Sequence, residues 1–98
     1  MGASTEDGNT DLGLTREEQD AWAAASHRRA AVHAGFQAAE IGPYTLASRR
    51  GGTAGADGDG IRPDTTAERL AALRPAFAKD GTITAGNASQ ITDGAAAL

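Results

Sequence analysis

The chain has 98 residues, a net charge of −4 and no cysteine, and 23 of its apolar residues are alanines, so that Leu, Ile, Val and Phe together number only 13. Alanine buries little apolar area for each residue that becomes ordered, so this composition supplies little for an independent hydrophobic core. We expect at most one domain, a soluble cytoplasmic protein without a membrane or nucleic-acid partner, and no disulfide, metal-binding thiolate or nucleophilic cysteine.

The first 14 residues predict a loop with at most one helical turn. They are polar and contain three glycines, and glycine is a poor helix former. Ser4 is a candidate cap for a short turn, which Gly8 weakens.

The clearest helix signal begins at Thr15, which forms a capping-box pattern with Glu18. Alanine-rich sequence continues to about residue 34, where we expect Gly35 to end or interrupt the helix, before a firm stop at residues 42–43 (Gly-Pro). One helical face carries an apolar stripe, made of Ala21, Trp22, Ala25, Val32 and Phe36. Arg29 falls in this stripe, either with its stem packed and its head in water or as half of a buried or interdomain ion pair.

The middle of the chain predicts a short strand at Tyr44–Leu46, followed by a surface loop over residues 48–60 with five glycines. Thr65 and Glu68 repeat the capping-box pattern and predict a short second helix. Leu70 and Leu73 mark its buried side, and a proline at position 75 prevents its continuation.

The last segment predicts a strand over Thr82–Thr84 and a polar turn over residues 86–94. Asp93 is placed to cap a helix that starts at Gly94. That helix would stop after one apolar turn, and helix nucleation is costly, so we expect the sequence to be truncated at this end.

The spacing of the candidate ligand residues does not predict a metal site. His27 and His33 lie six residues apart, whereas two ligands on one helix face need a spacing of three or four. Residues 57–60 (Asp-Gly-Asp-Gly) begin like a calcium loop, but Arg62 stands where that loop requires glycine.

The tripeptide Asn87-Ala88-Ser89 leaves two readings open. It is either a plain turn or a loop whose exposed backbone donors and hydroxyl meet the amide of a ligand.

Four segments occur in the order seen in thiolases: the opening Met-Gly, LTREEQDAWAAASHRRAA (14–31), IRPDTTAERLAALRPAF (61–77) and DGTITAGNASQITDGAAAL (80–98). The chain therefore resembles the thiolases, and among them the biosynthetic acetyl-CoA C-acetyltransferases. The resemblance implies an α/β thiolase-like fold, with residues 1–80 in the loop domain that covers the active site and residues 81–98 returning into the layered αβαβα core. It also implies that the intact enzyme is a homodimer or homotetramer that joins or cleaves acyl-CoA units by a Claisen step through an acyl-cysteine.

The resemblance also implies the residues that bind coenzyme A, which is a substrate or product here and not a resident cofactor. Met1 resembles a methionine beside the acyl pocket, and Arg62 an arginine near the nucleotide. Ala76 and Phe77 resemble the wall of the pantetheine tunnel, and Ser89 a serine that bonds a pantetheine amide. Ala85, with Gly86 and Ala88, would shape the same loop through its backbone. The residues alone favour a core aromatic for Phe77 and a surface charge for Arg62, and the resemblance favours the ligand roles.

The resemblance places the family's catalytic cysteines, histidine and asparagine outside these residues. We therefore expect no catalytic residue and no metal ligand in this chain, and no activity of the chain alone. The alternative is a non-catalytic thiolase-like module that binds acyl-CoA or a partner subunit, which the sparse core and the glycine-rich stretch favour.

Overall fold

The computed structural model describes residues 1–47, 53–55, 60–92 and 94–97. These residues form α1 (Gly2–Leu12), α2 (Arg16–Val32), α3 (Ala34–Glu40), β1 (Tyr44–Leu46), β2 (Thr53–Gly55) and α4 (Ala67–Ala71). The two strands pair antiparallel, with Tyr44 opposite Gly55 and Leu46 opposite Thr53.

Residues 2–12 form a helix, so the prediction of a loop there was wrong. No side chain caps its start, and Ser4 does not act as a cap. Gly13 ends the helix in the left-handed conformation (φ 67°), which glycine adopts without a steric penalty. Glu6, on the inner side of α1, is held by a distant part of the chain, and this long-range contact outweighs the low helix propensity.

The capping box at the start of α2 is confirmed. The Thr15 amide donates to Glu18 Oε2 at 2.9 Å, and Thr15 Oγ1 accepts from the Glu18 amide at 3.2 Å. The Thr15 hydroxyl also donates to Glu18 Oε2 at 3.1 Å. The bond from the Thr15 amide to the carboxylate, followed by the bond from this hydroxyl, favours the ionised form and holds the pKa of Glu18 below its usual value. The helix breaks at His33 and not at Gly35, which lies inside α3, and the stop before residues 42–43 is confirmed.

The predicted apolar stripe of α2 is not buried in this structure. Trp22, Val32 and Phe36 are exposed to 71%, 72% and 69%, and the residue that α2 buries is Asp20. Arg29 is exposed and lies over the Trp22 ring, with its guanidinium carbon 5.8 Å from the ring centroid. This geometry allows a cation–π attraction and agrees with the reading in which the head of Arg29 reaches water.

The second half of the chain forms less regular structure than predicted. The strand at Tyr44–Leu46 is confirmed, but the predicted loop contains β2, and the remaining residues 48–52 and 56–59 lie outside the described residues. The short helix starts one residue later than predicted, because Thr66, not Thr65, accepts from the Arg69 amide (3.3 Å). Leu70 is buried as expected, whereas Leu73 is exposed.

Residues 82–84 make a single antiparallel bridge, between Thr84 and Pro75, and the predicted strand was wrong. The Thr82 and Ile83 amides donate to Glu6 and are therefore not available to a strand partner. Residues 94–97 are exposed and not helical, contrary to prediction, and Asp93 lies outside the described residues.

The buried interior lies where α1, α2, α4 and residues 82–87 meet. Among the described residues, the buried apolar side chains are Leu70 and Ile83. Three further buried residues are polar or charged: Glu6, Asp20 and Thr84. Hydrogen bonds between polar groups therefore hold this region together as much as apolar packing does.

Candidate functional site

Glu6 anchors residues 82–83 to α1. Its side chain is 8% exposed, and its carboxylate accepts from the Thr82 amide at 2.9 Å, the Ile83 amide at 2.8 Å and the Thr82 hydroxyl at 2.9 Å. The bond from the Thr82 amide, followed by that from Ile83, holds the pKa of Glu6 below its usual value, although burial opposes this. Glu6 is therefore suited to remain ionised and to fix the start of the following turn.

Two amide side chains extend this contact to the Thr82 hydroxyl. Gln19 of α2 donates to Thr82 Oγ1 at 2.9 Å, and Asn9 of α1 donates to the same oxygen at 3.2 Å. Asn9 is also within 3.3 Å of Gln19 Oε1. The Thr82 hydroxyl thus donates to Glu6 and accepts from both helices, which uses its full bonding capacity.

Asp20 is the second anchor and is 2% exposed. Its Oδ2 accepts from Arg16 Nε at 2.8 Å, and its Oδ1 accepts from Asn87 Nδ2 at 2.9 Å. Arg16 also donates to the backbone oxygens of Leu70 (2.7 Å) and Leu73 (3.0 Å) at the end of α4. One ion pair therefore joins α2, α4 and the segment that carries Asn87.

We call residues 84–88 the 84–88 turn. The Thr84 amide donates to Asn87 Oδ1 at 2.8 Å, and the Ala88 amide donates to the Thr84 backbone oxygen at 3.0 Å. Thr84 Oγ1 accepts from the Gly86 amide at 3.1 Å. A Cβ atom on Gly86 would overlap the terminal methyl groups of Leu70 and Leu73, so a larger residue here would force these two side chains to shift.

Two clefts flank the turn. The first has a volume of about 940 Å³, and the second of about 690 Å³. Both are in the size range of small-molecule sites. They share four lining residues, Ser26, His27, Gly86 and Ala88, and are therefore adjacent.

The first cleft brings together Arg62 and Ala85, two of the residues that the family resemblance selects. Arg62 is exposed, and its amide donates to His27 Nδ1 at 3.1 Å, which ties the segment after residue 60 to α2. Arg69 also lines this cleft and pairs with Asp64. The cleft is thus lined by two arginines, by Asp64 and by apolar side chains that include Leu70 and Leu73.

The second cleft contains Ser89, which lies beside Leu14 and Trp22. Ser89 is exposed, and its hydroxyl is within 3.5 Å of the Gln90 backbone oxygen, a distance at the limit of a hydrogen bond. The hydroxyl is thus available to a ligand at the edge of an apolar surface. The hydrogen bonds of Asn87 agree with the reading of residues 87–89 as a turn, and a ligand contact of Ser89 stays a prediction.

The remaining selected residues lie away from these two clefts. Met1 is fully exposed at the start of α1, and the exposed Phe77 ring packs so closely on Gly2 that a Cβ there would overlap it. Ala76 precedes Phe77 and donates its amide to the Ile83 backbone oxygen at 2.8 Å. The structure therefore brings Met1 and Phe77 to one end of α1, and neither residue lines the clefts around the 84–88 turn.

Sequence analysis missed Glu6, Arg16 and Asp20, which hold the site in place. The spacing of Arg16 and Asp20 is typical of a helical ion pair, but it does not distinguish a buried pair from an exposed one. In the described part of the chain, no group of three or more metal-ligating side chains is arranged around a metal position. None of the described helices has the length and apolar character needed to cross a bilayer.

Comparison with known proteins identifies what the chain is similar to. Residues 1–98 match the family model described as the thiolase N-terminal domain. The chain is 54% identical to a probable acetyl-CoA acetyltransferase of Mycolicibacterium smegmatis and 51% identical to an acetyl-CoA acetyltransferase of Synechocystis, in both cases over its full length. It spans only 26% and 25% of those two relatives, about a quarter of their length.

The fold comparison agrees. The structure of an acetyl-CoA acetyltransferase from Syntrophomonas wolfei superposes with a TM-score of 0.86 at 36% identity, over 93% of this chain and 23% of that protein. The predicted family resemblance and the predicted thiolase-like α/β fold are confirmed.

Proposed function

This chain belongs to the thiolase family, and we propose that it forms the part of an acetyl-CoA C-acetyltransferase that binds coenzyme A and its thioesters. The observation that carries this proposal is the pair of adjacent clefts around the 84–88 turn, with Arg62 at one and Ser89 at the other. Coenzyme A is a long molecule with phosphates at one end and an arm containing two amides at the other. An arginine fork suits phosphate oxygens, and a hydroxyl beside apolar side chains suits an amide-bearing arm.

We assign residues 1–80 to the loop domain and residues 81–98 to the return into the core, as the family resemblance implies. Met1, Ala76, Phe77 and Ala85 remain predicted contacts of the acyl end and arm. Acyl transfer in this family requires a cysteine nucleophile, and the chain contains no cysteine, so its part in the reaction is to bind and orient the thioester.

Binding is tested by titrating the full chain with coenzyme A in a calorimeter. Ser89→Ala should weaken binding by about 1 kcal/mol, or about fivefold, the usual net value of one hydrogen bond. Ser4→Ala, at an exposed position on α1, is the matched control and should bind like the unchanged chain. Unchanged affinity in the Ser89 variant would remove its assigned role.

The position of the nucleotide is tested with two ligands. Arg62→Gln should weaken the binding of coenzyme A but not of pantetheine, which lacks the phosphates. Arg28→Gln, at an exposed position on α2, is the matched control. Equal losses with both ligands would place Arg62 away from the phosphates.

The activity itself is tested on the product of the complete reading frame. We expect cleavage of acetoacetyl-CoA by coenzyme A, and a homodimer or homotetramer by analytical ultracentrifugation. Saturable coenzyme A binding without any acyl transfer would support the alternative, a non-catalytic thiolase-like module.

A further inference from the structure

We propose that Asn87 is a positioning residue for the coenzyme site: its carboxamide, locked by Asp20, sets the place of Ser89. This inference rests on the proposed function. It concerns a side chain that acts through the backbone of the turn, and it predicts a pH-dependent affinity, which is compared with the melting temperature at each pH.

All three hydrogen bonds of the Asn87 side chain point to fixed partners. Its Oδ1 accepts from the Thr84 amide at 2.8 Å, and its Nδ2 donates to Asp20 Oδ1 at 2.9 Å and to the Thr82 backbone oxygen at 3.0 Å. A backbone amide can only donate and a carboxylate can only accept, so the partners fix which way the carboxamide is turned. The side chain has a single satisfied orientation.

Asp20 is in turn held by groups that cannot move independently. Arg16 pairs with its other oxygen at 2.8 Å and is anchored on the backbone oxygens of Leu70 and Leu73. On the opposite side, Gly86 packs directly on the Leu70 and Leu73 side chains. The 84–88 turn is therefore fixed from α2 by hydrogen bonds and from α4 by packing.

Ser89 follows this turn directly and depends on it for its location. Within the part of the chain that the structure describes, its hydroxyl makes one long contact, of 3.5 Å to its neighbour Gln90, which does not orient it. A hydrogen bond to a ligand needs an atom placed within a few tenths of an ångström, and here the backbone supplies that placement. Asn87 is the side chain that connects this backbone to the helices.

Asn87→Asp tests the proposal because it keeps the shape and changes only the hydrogen-bonding capacity. At about pH 8 the introduced carboxylate cannot donate to Asp20 or to the Thr82 oxygen, and it faces the Asp20 carboxylate. The other titratable or charged groups around it are Arg16, which pairs with Asp20, Glu6, which bonds Thr82, and Glu18 and His27, which line the same cleft as Asn87. We expect coenzyme A to bind about tenfold more weakly than to the unchanged chain at the same pH. Near pH 5 the introduced carboxyl takes up a proton, because repulsion from Asp20 raises its pKa, and its single O–H restores one of the two lost donor bonds. The ratio of variant to unchanged affinity should then rise towards one.

Dividing the affinity of the variant by that of the unchanged chain at each pH removes the effect of the ligand's own titration.

Asn9→Asp is the matched control, because Asn9 belongs to the same hydrogen-bonded region but contacts Gln19 and Thr82, not the 84–88 turn. Asn9→Asp should lower the melting temperature, but the ratio of its affinity to that of the unchanged chain should be the same at both pH values. A second variant combines Asp20→Asn with Asn87→Asp, so that the side chain at position 20 donates and the side chain at position 87 accepts. This double variant should recover part of the coenzyme A affinity that Asn87→Asp loses at about pH 8.

Each outcome decides between the claims. If the unchanged chain does not bind coenzyme A, the proposed function and this inference both fail. If Ser89→Ala weakens binding while Asn87→Asp binds normally at both pH values, only this inference fails. It also fails if the Asn87 and Asn9 variants lose affinity in proportion to melting temperature, since Asn87 would then be a structural residue only.

Discussion

Two regions of the structure differ in what their side chains contact. We call the place where α1, α2, α4 and residues 82–87 meet the junction, and we call α3, β1 and β2 the arm. In the junction, Glu6, Asp20 and Thr84 are buried and bonded. In the arm, Phe36, Tyr44 and Leu46 are exposed. Among the described residues, Glu6 and Asp20 are thus more deeply buried than many of the large apolar side chains.

This difference shows that the positions of the large apolar residues do not reveal which part of this chain is buried. The sequence has few large apolar residues, and several of them lie on the arm or on the outer face of α2. The junction instead uses carboxylates as acceptors for backbone amides and for Arg16. Such groups stabilise a fold when every partner is present and destabilise it when one is removed.

The largest effect should follow from Asp20→Ala. It leaves Arg16 without its carboxylate and Asn87 with only one of its two acceptors, the Thr82 backbone oxygen. We expect a loss of about 3 kcal/mol in the free energy of unfolding. Urea denaturation measures it. Asp11→Ala, at an exposed position on α1, is the control. Equal losses at the two positions would show that the buried ion pair of Asp20 stabilises the fold no more than an exposed carboxylate does.

Glu6→Gln should have the next largest effect, and one that depends on pH. The pKa of Glu6 is lowered in the folded chain, so its ionised form contributes stability that is present above the unfolded pKa of about 4.5 and is lost as the pH falls through the folded value. The variant should therefore be less stable than the unchanged chain at neutral pH, and the difference should shrink in acid. Thermal melts from neutral pH to about pH 3 measure this, across the carboxyl titration range.

Glu17→Gln, at an exposed position in the first turn of α2, is the control for that experiment. A constant difference between Glu6→Gln and the unchanged chain over the whole pH range would mean that the Glu6 charge does not anchor residues 82–83.

The features that could be predicted are local or carried by several segments together. The Thr15–Glu18 capping box needs only four neighbouring residues, and the stop after α3 needs only the Gly-Pro pair. The family resemblance combined four segments along the chain, and it was confirmed with the fold.

The features that could not be predicted depend on partners far away in the sequence. The helix over residues 2–12 and the missing strand at 82–84 have one cause, because Glu6 bonds across 76 residues to the amides of that segment. Periodicity likewise selected the Trp22 stripe of α2, whereas the buried side is marked by Asp20, whose partner Asn87 is 67 residues away. Propensity and spacing contain no information on such pairs.

Thr15→Ala should have a moderate effect, because it removes the hydroxyl half of a cap on an exposed helix end. We expect a loss of about 1 kcal/mol in the free energy of unfolding. It should also bring the pKa of Glu18 closer to its usual value, since the Thr15 hydroxyl contributes to lowering it. Denaturant unfolding and carboxyl titration by nuclear magnetic resonance measure the two effects. An unchanged unfolding midpoint would show that α2 does not depend on its capping box.

Phe36→Ser, in the arm, should have the smallest effect. The ring is exposed, so removing it creates no cavity, and the free energy of unfolding should change by less than about 0.5 kcal/mol. Tyr44→Ser, at a second exposed position of the arm, should behave in the same way. If either change costs as much as Asp20→Ala, the apolar side chains of the arm are covered in solution, and the contrast with the junction fails. A small effect at both positions would leave the polar contacts as the main stabilising element of this part of the fold.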